Sequence, residues 1–261
     1  MAPLLLQVAA EVPHTLNEEA LLALGALCQG MESAFLPFAP ATLALALQGA
    51  RNVQEPEACH VSLALLGHVF KVAPGLPADA MASVMECVFA ALRHPTASVL
   101  VQSAALSCCG DAALLLGVEA VRPYLPTMRG AVEAFVGVAA GDGGEAHAES
   151  DEAEALRSAL TEAFTGLCQG CCEDQPALFM EFAEPMMKLL ALQARHVERL
   201  PDSELRASVG LIGDLAKYLS RTNFHRVLKQ PAFKPLLKAA RFSPSEMTRE
   251  TAEYADGELQ S

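Results

Sequence analysis

A glycine set inside a short apolar run returns five times along this chain, at Gly25, Gly67, Gly110, Gly166 and Gly213. The local text reads Leu24-Gly25-Ala26-Leu27, Leu66-Gly67-His68-Val69, Cys109-Gly110-Asp111-Ala112, Thr165-Gly166-Leu167-Cys168 and Ile212-Gly213-Asp214-Leu215. The intervals are 42, 43, 56 and 47 residues, and the long one contains an obvious insertion, Gly141 to Asp151. A period of roughly 40–47 residues filled with helical pattern is the mark of helix pairs stacked in a row. One pair cannot bury its apolar faces alone, so neighbours share a continuous core and function falls on extended surfaces.

Composition points the same way. Hydrophobic residues make up 52% of the chain and aromatics only 5%, with Ala and Leu dominant. Those two are good helix formers, whereas the β-branched and aromatic residues that fill sheets are not prominent. No uninterrupted apolar run reaches membrane-spanning length, since the longest candidate, Ala34 to Leu47, is broken by Pro37 and Pro40. Met1 to Ala10 is apolar but lacks the basic flank of a signal peptide.

The formal net charge is −13, which argues against nucleic acid and anionic membranes as partners and for basic ones. The charge is uneven. Acid gathers at Asp142, Glu145, Glu149, Asp151, Glu152 and Glu154, while Lys217 to Arg241 holds seven basic residues and no acidic one.

Apolar spacing places the helices. A first helix runs from about Asn17 to Gln29, with Asn17 as its cap, and its partner opens at Phe35-Leu36-Pro37-Phe38-Ala39-Pro40. Proline is tolerated there only in the first turn, where its missing N–H breaks no bond. Val121-Arg122-Pro123-Tyr124-Leu125-Pro126 repeats the device. The second pair spans about Glu57–Val72 and Asp79–Leu92, the latter with the stripe Met81, Val84, Met85, Val88, Phe89 and Leu92. Further pairs are expected at about Ser98–Leu116 with Val118–Ala139, Glu152–Gln169 with Pro176–Arg195, and Asp202–Leu219 with a helix ending near Ala240.

The expected architecture is therefore all-α: a right-handed α-solenoid of HEAT repeats, with about five helix pairs and partial terminal elements. Residues 1–261 read as a single solenoid. Within it, residues 1–16 are the remnant of a preceding repeat, 141–151 an acidic flexible insertion, and 243–261 a terminal helix or tail. Pro3 to Ala10 looks like the surviving second helix of an earlier pair, so the chain is expected to be the C-terminal piece of a longer solenoid.

Two stretches carry a more specific resemblance. Leu156-Arg157-Ser158-Ala159-Leu160-Thr161-Glu162-Ala163-Phe164-Thr165-Gly166-Leu167-Cys168-Gln169-Gly170 and Gly210-Leu211-Ile212-Gly213-Asp214-Leu215 resemble the C-terminal third of importin-beta. The order is similar too: a helix ending in a Gly-Asp step, a helix opened by prolines, a polar insertion, then the Leu-Arg…Phe-Thr-Gly helix. The similarity covers about Ala20 to Leu219. It implies a nuclear transport receptor, shuttling between cytoplasm and nucleus through the nuclear pore. The implied partners are importin-alpha or basic cargo segments on the second-helix surface, Phe-Gly nucleoporins between first helices, and Ran GTPase in the full-length parent. The family's inner tryptophans have no counterpart, because the chain contains no Trp.

Acids on the exposed side of second helices are accordingly the candidate binding residues: Glu86, Glu133, Glu181 and Glu184. Glu181 and Glu184 lie off the stripe formed by Phe179, Phe182, Met186 and Leu190. Cys168-x-x-Cys171-Cys172 lacks the second Cys/His pair that zinc requires, and the eight cysteines read as packed thiols. Gly141-x-Gly143-Gly144 sits among acids that repel phosphate, and the seven histidines form no triad. No catalytic residue, metal or cofactor is expected. A HEAT scaffold outside transport, such as a phosphatase-type regulatory subunit, is the alternative with the same fold.

Overall fold

The computed structural model describes residues 1–10, 18–140, 150–219 and 231–260. Among these there is no β-strand. The cap assigned to Asn17 and most of the acidic insertion, 141–149, lie outside the described residues. The chain divides into two compact units, residues 1–131 and 132–261.

In the first unit the helices are α1 (Ala2–Ala10), α2 (Glu18–Met31), α3 (Ala39–Ala50), α4 (Pro56–Val72), α5 (Ala78–Arg93) and α6 (Val99–Leu116), followed by the start of α7 (Leu125–Ala139). They form two rows. First helices α2, α4 and α6 pack side by side, and α1, α3 and α5 make the second row against them. The expected stripe of α5, Met81 to Leu92, is buried throughout, with Glu86 and Arg93 exposed. Helix α6 has the length and apolar composition of a membrane span, beyond what the sequence pattern suggested. It is instead packed against α4 and α5, burying Val101, Ala105, Leu106, Cys108 and Cys109.

The second unit contains α8 (Asp151–Cys172), α9 (Ala183–Arg195), α10 (Asp202–Tyr218), α11 (Lys234–Arg241) and α12 (Glu246–Gln260). Here α8, α10 and α12 form the first-helix row and α9 and α11 the second. Ser150 caps α8, accepting from the Ala153 amide at 3.2 Å. That helix runs on to Cys172, three residues past the expected end at Gln169, because Cys168, Cys171 and Cys172 are all buried on it. The terminal segment forms α12, which buries Thr248, Ala252, Ala255 and Leu259.

Second helices start in a recurrent way. A 3₁₀ turn leads into each of α3, α7, α9 and α11: Glu32–Phe38, Arg122–Tyr124, Met180–Phe182 and Pro231–Phe233. Phe35, Phe182 and Phe233 are buried in these turns, Phe179 is buried just before the third, and no side-chain oxygen caps α3, α9 or α11. Prolines near the entry, such as Pro40 and Pro235, remove N–H groups that no intrahelical carbonyl would satisfy. Aromatic burial and proline thus replace a polar cap.

Three of the recurrent glycines, Gly25, Gly67 and Gly213, hold first helices at close approach. A methyl group added to Gly25 would lie 3.0 Å from the His68 ring. One added to Gly67 would overlap the Asp111 carboxylate, and one added to Gly213 would come within 2.6 Å of the Tyr254 ring. His68 and Asp111 each directly follow the next glycine of the series. The glycine of one repeat is therefore the seat for a side chain of the next.

Candidate partner-binding surface

The second-helix row of the second unit brings two of the expected acids together. Glu133, midway along α7, and Glu184, in the first turn of α9, both line an open groove of about 660 Å³. Both are exposed, since the apolar positions beside them point into the core: Val132, Phe135 and Val136 on α7, and Pro185, Met186 and Leu189 on α9. Met187 and the buried Phe233, from the turn before α11, supply apolar wall. Lys188 and Arg195 also line the groove, so its charge is mixed.

Glu184 accepts from Lys188 at 2.9 Å, an i,i+4 pair with side chains 75% and 58% exposed. Such a pair contributes about 0.5 kcal/mol at most and leaves the carboxylate available for exchange. Glu181 is exposed on the 3₁₀ turn before α9, outside the groove lining. Glu86 is exposed on α5 of the first unit.

Beneath this row lies a polar network with no signal in the sequence. Arg157 of α8 donates to Glu204 of α10 at 3.2 Å. Gln193 of α9 donates to the same carboxylate oxygen at 3.1 Å and to the Thr161 hydroxyl at 2.9 Å. Glu204 and Gln193 are almost fully buried, so this network links three helices from inside. Burial pushes the Glu204 carboxyl above its usual value, and the bonds from Gln193 and Arg157 oppose that shift.

The cysteines are buried and unpaired. Cys168 and Cys172 lie with their sulfurs 3.9 Å apart on one face of α8. That contact, with burial, holds the Cys168 thiol protonated, and burial alone takes Cys109 up to about 12. Among the described residues, no group of three or more His, Cys, Asp or Glu side chains is placed to hold a metal ion.

Rows of paired helices with exposed charge above an apolar and hydrogen-bonded interior define a helical-repeat scaffold that presents extended surfaces. The family model for the TPR repeats of importin subunit beta-1-like proteins matches residues 1–241, and the chain belongs to the importin-beta family. Importin subunit beta-1 of Schizosaccharomyces pombe is 27% identical over 259 residues, covering 97% of this chain and 29% of the relative. The chain thus spans less than a third of that relative's length. A crystal structure of importin beta, grown in polyethylene glycol, superposes with TM-score 0.87 at 22% identity, over 99% of this chain and 31% of that one. Kap95p has been solved in a complex with Nup1 and in one with RanGDP. These match with TM-scores of 0.76 and 0.77 at 20% identity, each over 93% of this chain and 28% of theirs. The fold is the HEAT-repeat α-solenoid of these structures.

Proposed function

We propose that this chain is a nuclear import receptor segment whose second-helix row binds basic peptide segments, of cargo or of importin-alpha. The observation that carries this reading is the placement of Glu133 and Glu184 on one groove with apolar wall between them. A Lys/Arg-rich segment would exchange with Lys188 for the Glu184 carboxylate, and an arginine would gain a bidentate partner that lysine cannot offer. Glu181 beside this groove and Glu86 on α5 extend the same chemistry along each unit's second-helix row. The net charge of −13 speeds encounter with such segments and steers them before contact.

The Kap95p structures with Nup1 and with RanGDP support two further roles within the same reading: contact with nucleoporins, of the Phe-Gly kind the family resemblance implies, and contact with Ran in the full-length parent. Transport between cytoplasm and nucleus through the nuclear pore follows from these roles.

Fluorescence anisotropy with a labelled importin-alpha basic segment tests the proposal. Binding is expected to weaken as salt rises, and Glu133→Lys with Glu184→Lys should lower affinity by about tenfold. Salt-independent binding, or a charge-reversed variant that binds equally well, rejects it.

A further inference from the structure

A second and larger groove, of about 1010 Å³, lies at the other end of the second unit. It is formed by α11, the end of α12 and the 3₁₀ turn Val197–Arg199. Leu237 and Leu259 floor it, and Phe242 projects over it with 78% of its surface exposed. A phenylalanine left this open at the edge of a concave surface is an anchor without a partner.

The charge here leans basic, whereas the groove at Glu133 and Glu184 carries two acids and two bases. Lys234 and Lys238 are one turn apart on the same face of α11, and both are exposed. Neither has an ion pair among the described residues. Arg241 follows and grips Asp256 with two bonds, at 2.5 and 2.6 Å, which neutralises that acid. Glu198 is then the one acid of the lining with no cation bound to it among the described residues. In a chain of net charge −13, this is a basic, aromatic-edged groove.

We propose that this groove binds an acidic peptide segment of a partner protein, one in which Asp or Glu residues flank a bulky apolar side chain. The apolar side chain packs on Leu237, Leu259 and Phe242, and the carboxylates reach Lys234 and Lys238. Charge complementarity selects this occupant. Basic segments are repelled by the two lysines, and the apolar floor of Leu237, Leu259 and Phe242 offers a seat that a peptide side chain fills and a sugar-phosphate backbone does not.

The test uses the full chain and a short fluorescein-labelled peptide of Asp, Glu, Leu and Phe, with a Lys, Leu and Phe peptide as the comparison. The acidic peptide is expected to bind and to weaken with added salt. Lys234→Glu with Lys238→Glu should lower its affinity by about tenfold, and Phe242→Ala by about fivefold. All three side chains are exposed, so circular dichroism should show the helices unchanged. Glu133→Lys with Glu184→Lys should leave acidic-peptide binding intact, which separates this proposal from the one above. Equal binding of both peptides, or insensitivity to the lysine reversal, overturns it. So does self-association that depends on Phe242 without peptide binding, which would make a second copy of the chain the occupant.

Discussion

Tyr254 donates its hydroxyl to Asp214 at 2.8 Å while its ring lies across Gly213, the residue just before that aspartate. The other oxygen of Asp214 accepts from Gln169 at 2.7 Å, so a single carboxylate joins α8, α10 and α12. Burial and the Asp214 bond raise the Tyr254 phenol above its usual value, which keeps it a donor. In the first unit His68 seats on Gly25 and hydrogen-bonds Gln29 at 3.0 Å through its ring. Three glycines of the register, Gly25, Gly67 and Gly213, are thus sockets filled from further along the chain.

Gly213→Ala should therefore destabilise the protein even though alanine favours a helix by about 1 kcal/mol. The new methyl would fall 2.6 Å from Tyr254 Cε1 and 3.1 Å from the Ala255 backbone, and the Asp214 bond restrains the ring from turning aside. A net loss of about 1–2 kcal/mol is expected from such overpacking. Gly257→Ala on α12 meets nothing within 4 Å and should instead gain up to about 1 kcal/mol. Urea denaturation of the two variants checks both signs.

Glu204→Ala should cost about 3 kcal/mol, because it strips the acceptor from Arg157, itself only 13% exposed, and from buried Gln193. Glu204→Gln separates charge from hydrogen bonding. The folded carboxyl of Glu204 is raised from its usual 4.5, so its contribution is complete below that pH and declines as pH rises through the folded value. The stability of Glu204→Gln relative to the parent should consequently improve as pH rises above about 4.5. A flat difference over that rise would mean the carboxylate is not penalised by burial.

Asp202 has the opposite sign. Ser243 and Thr248 donate to its two oxygens at 2.5 and 2.6 Å, Ser243 being the larger influence, and hold its carboxyl below the usual 3.8. Its contribution is complete above that pH and is lost as pH falls through the lower folded value. Asp202→Asn should weaken the attachment of α12 to α10 at neutral pH, with the gap to the parent closing below about pH 3.8. Denaturation midpoints measured against pH check this.

The thiols should be inert in the folded protein. Burial takes Cys28 and Cys59 up to about 11 and Cys171 up to about 12, and all eight cysteines are buried. At mildly alkaline pH, iodoacetamide should leave the native protein unlabelled and modify every cysteine after unfolding, as read by mass spectrometry. Prompt native labelling at Cys168, Cys171 or Cys172 would mean that the end of α8 opens.

Much of the fold is legible in the residues. The stripe of α5, the prolines before α3 and α7, and the glycine interval all follow from local spacing, because a helix shows its buried face in its own sequence. The acids were harder to read. Glu204 has the appearance of an ordinary first-turn acid of α10 and is buried at 2% exposure. Glu184 looks free on its helix face and carries Lys188. Lys234 and Lys238 belong to a basic run whose groove depends on where α12 ends beside them.

By itself, the sequence determined which segments are helical, which side of each is apolar, and that the helices recur in register. Only the tertiary structure decided that Tyr254 fills the seat at Gly213, that Glu133 and Glu184 share one groove, and that Phe242 stands open beside two lysines. The reason is geometric. Helix formation and its apolar face are set by residues within a few positions of one another, whereas which side chains of different helices meet, and which are left open, depends on how closely and at what tilt successive helix pairs pack.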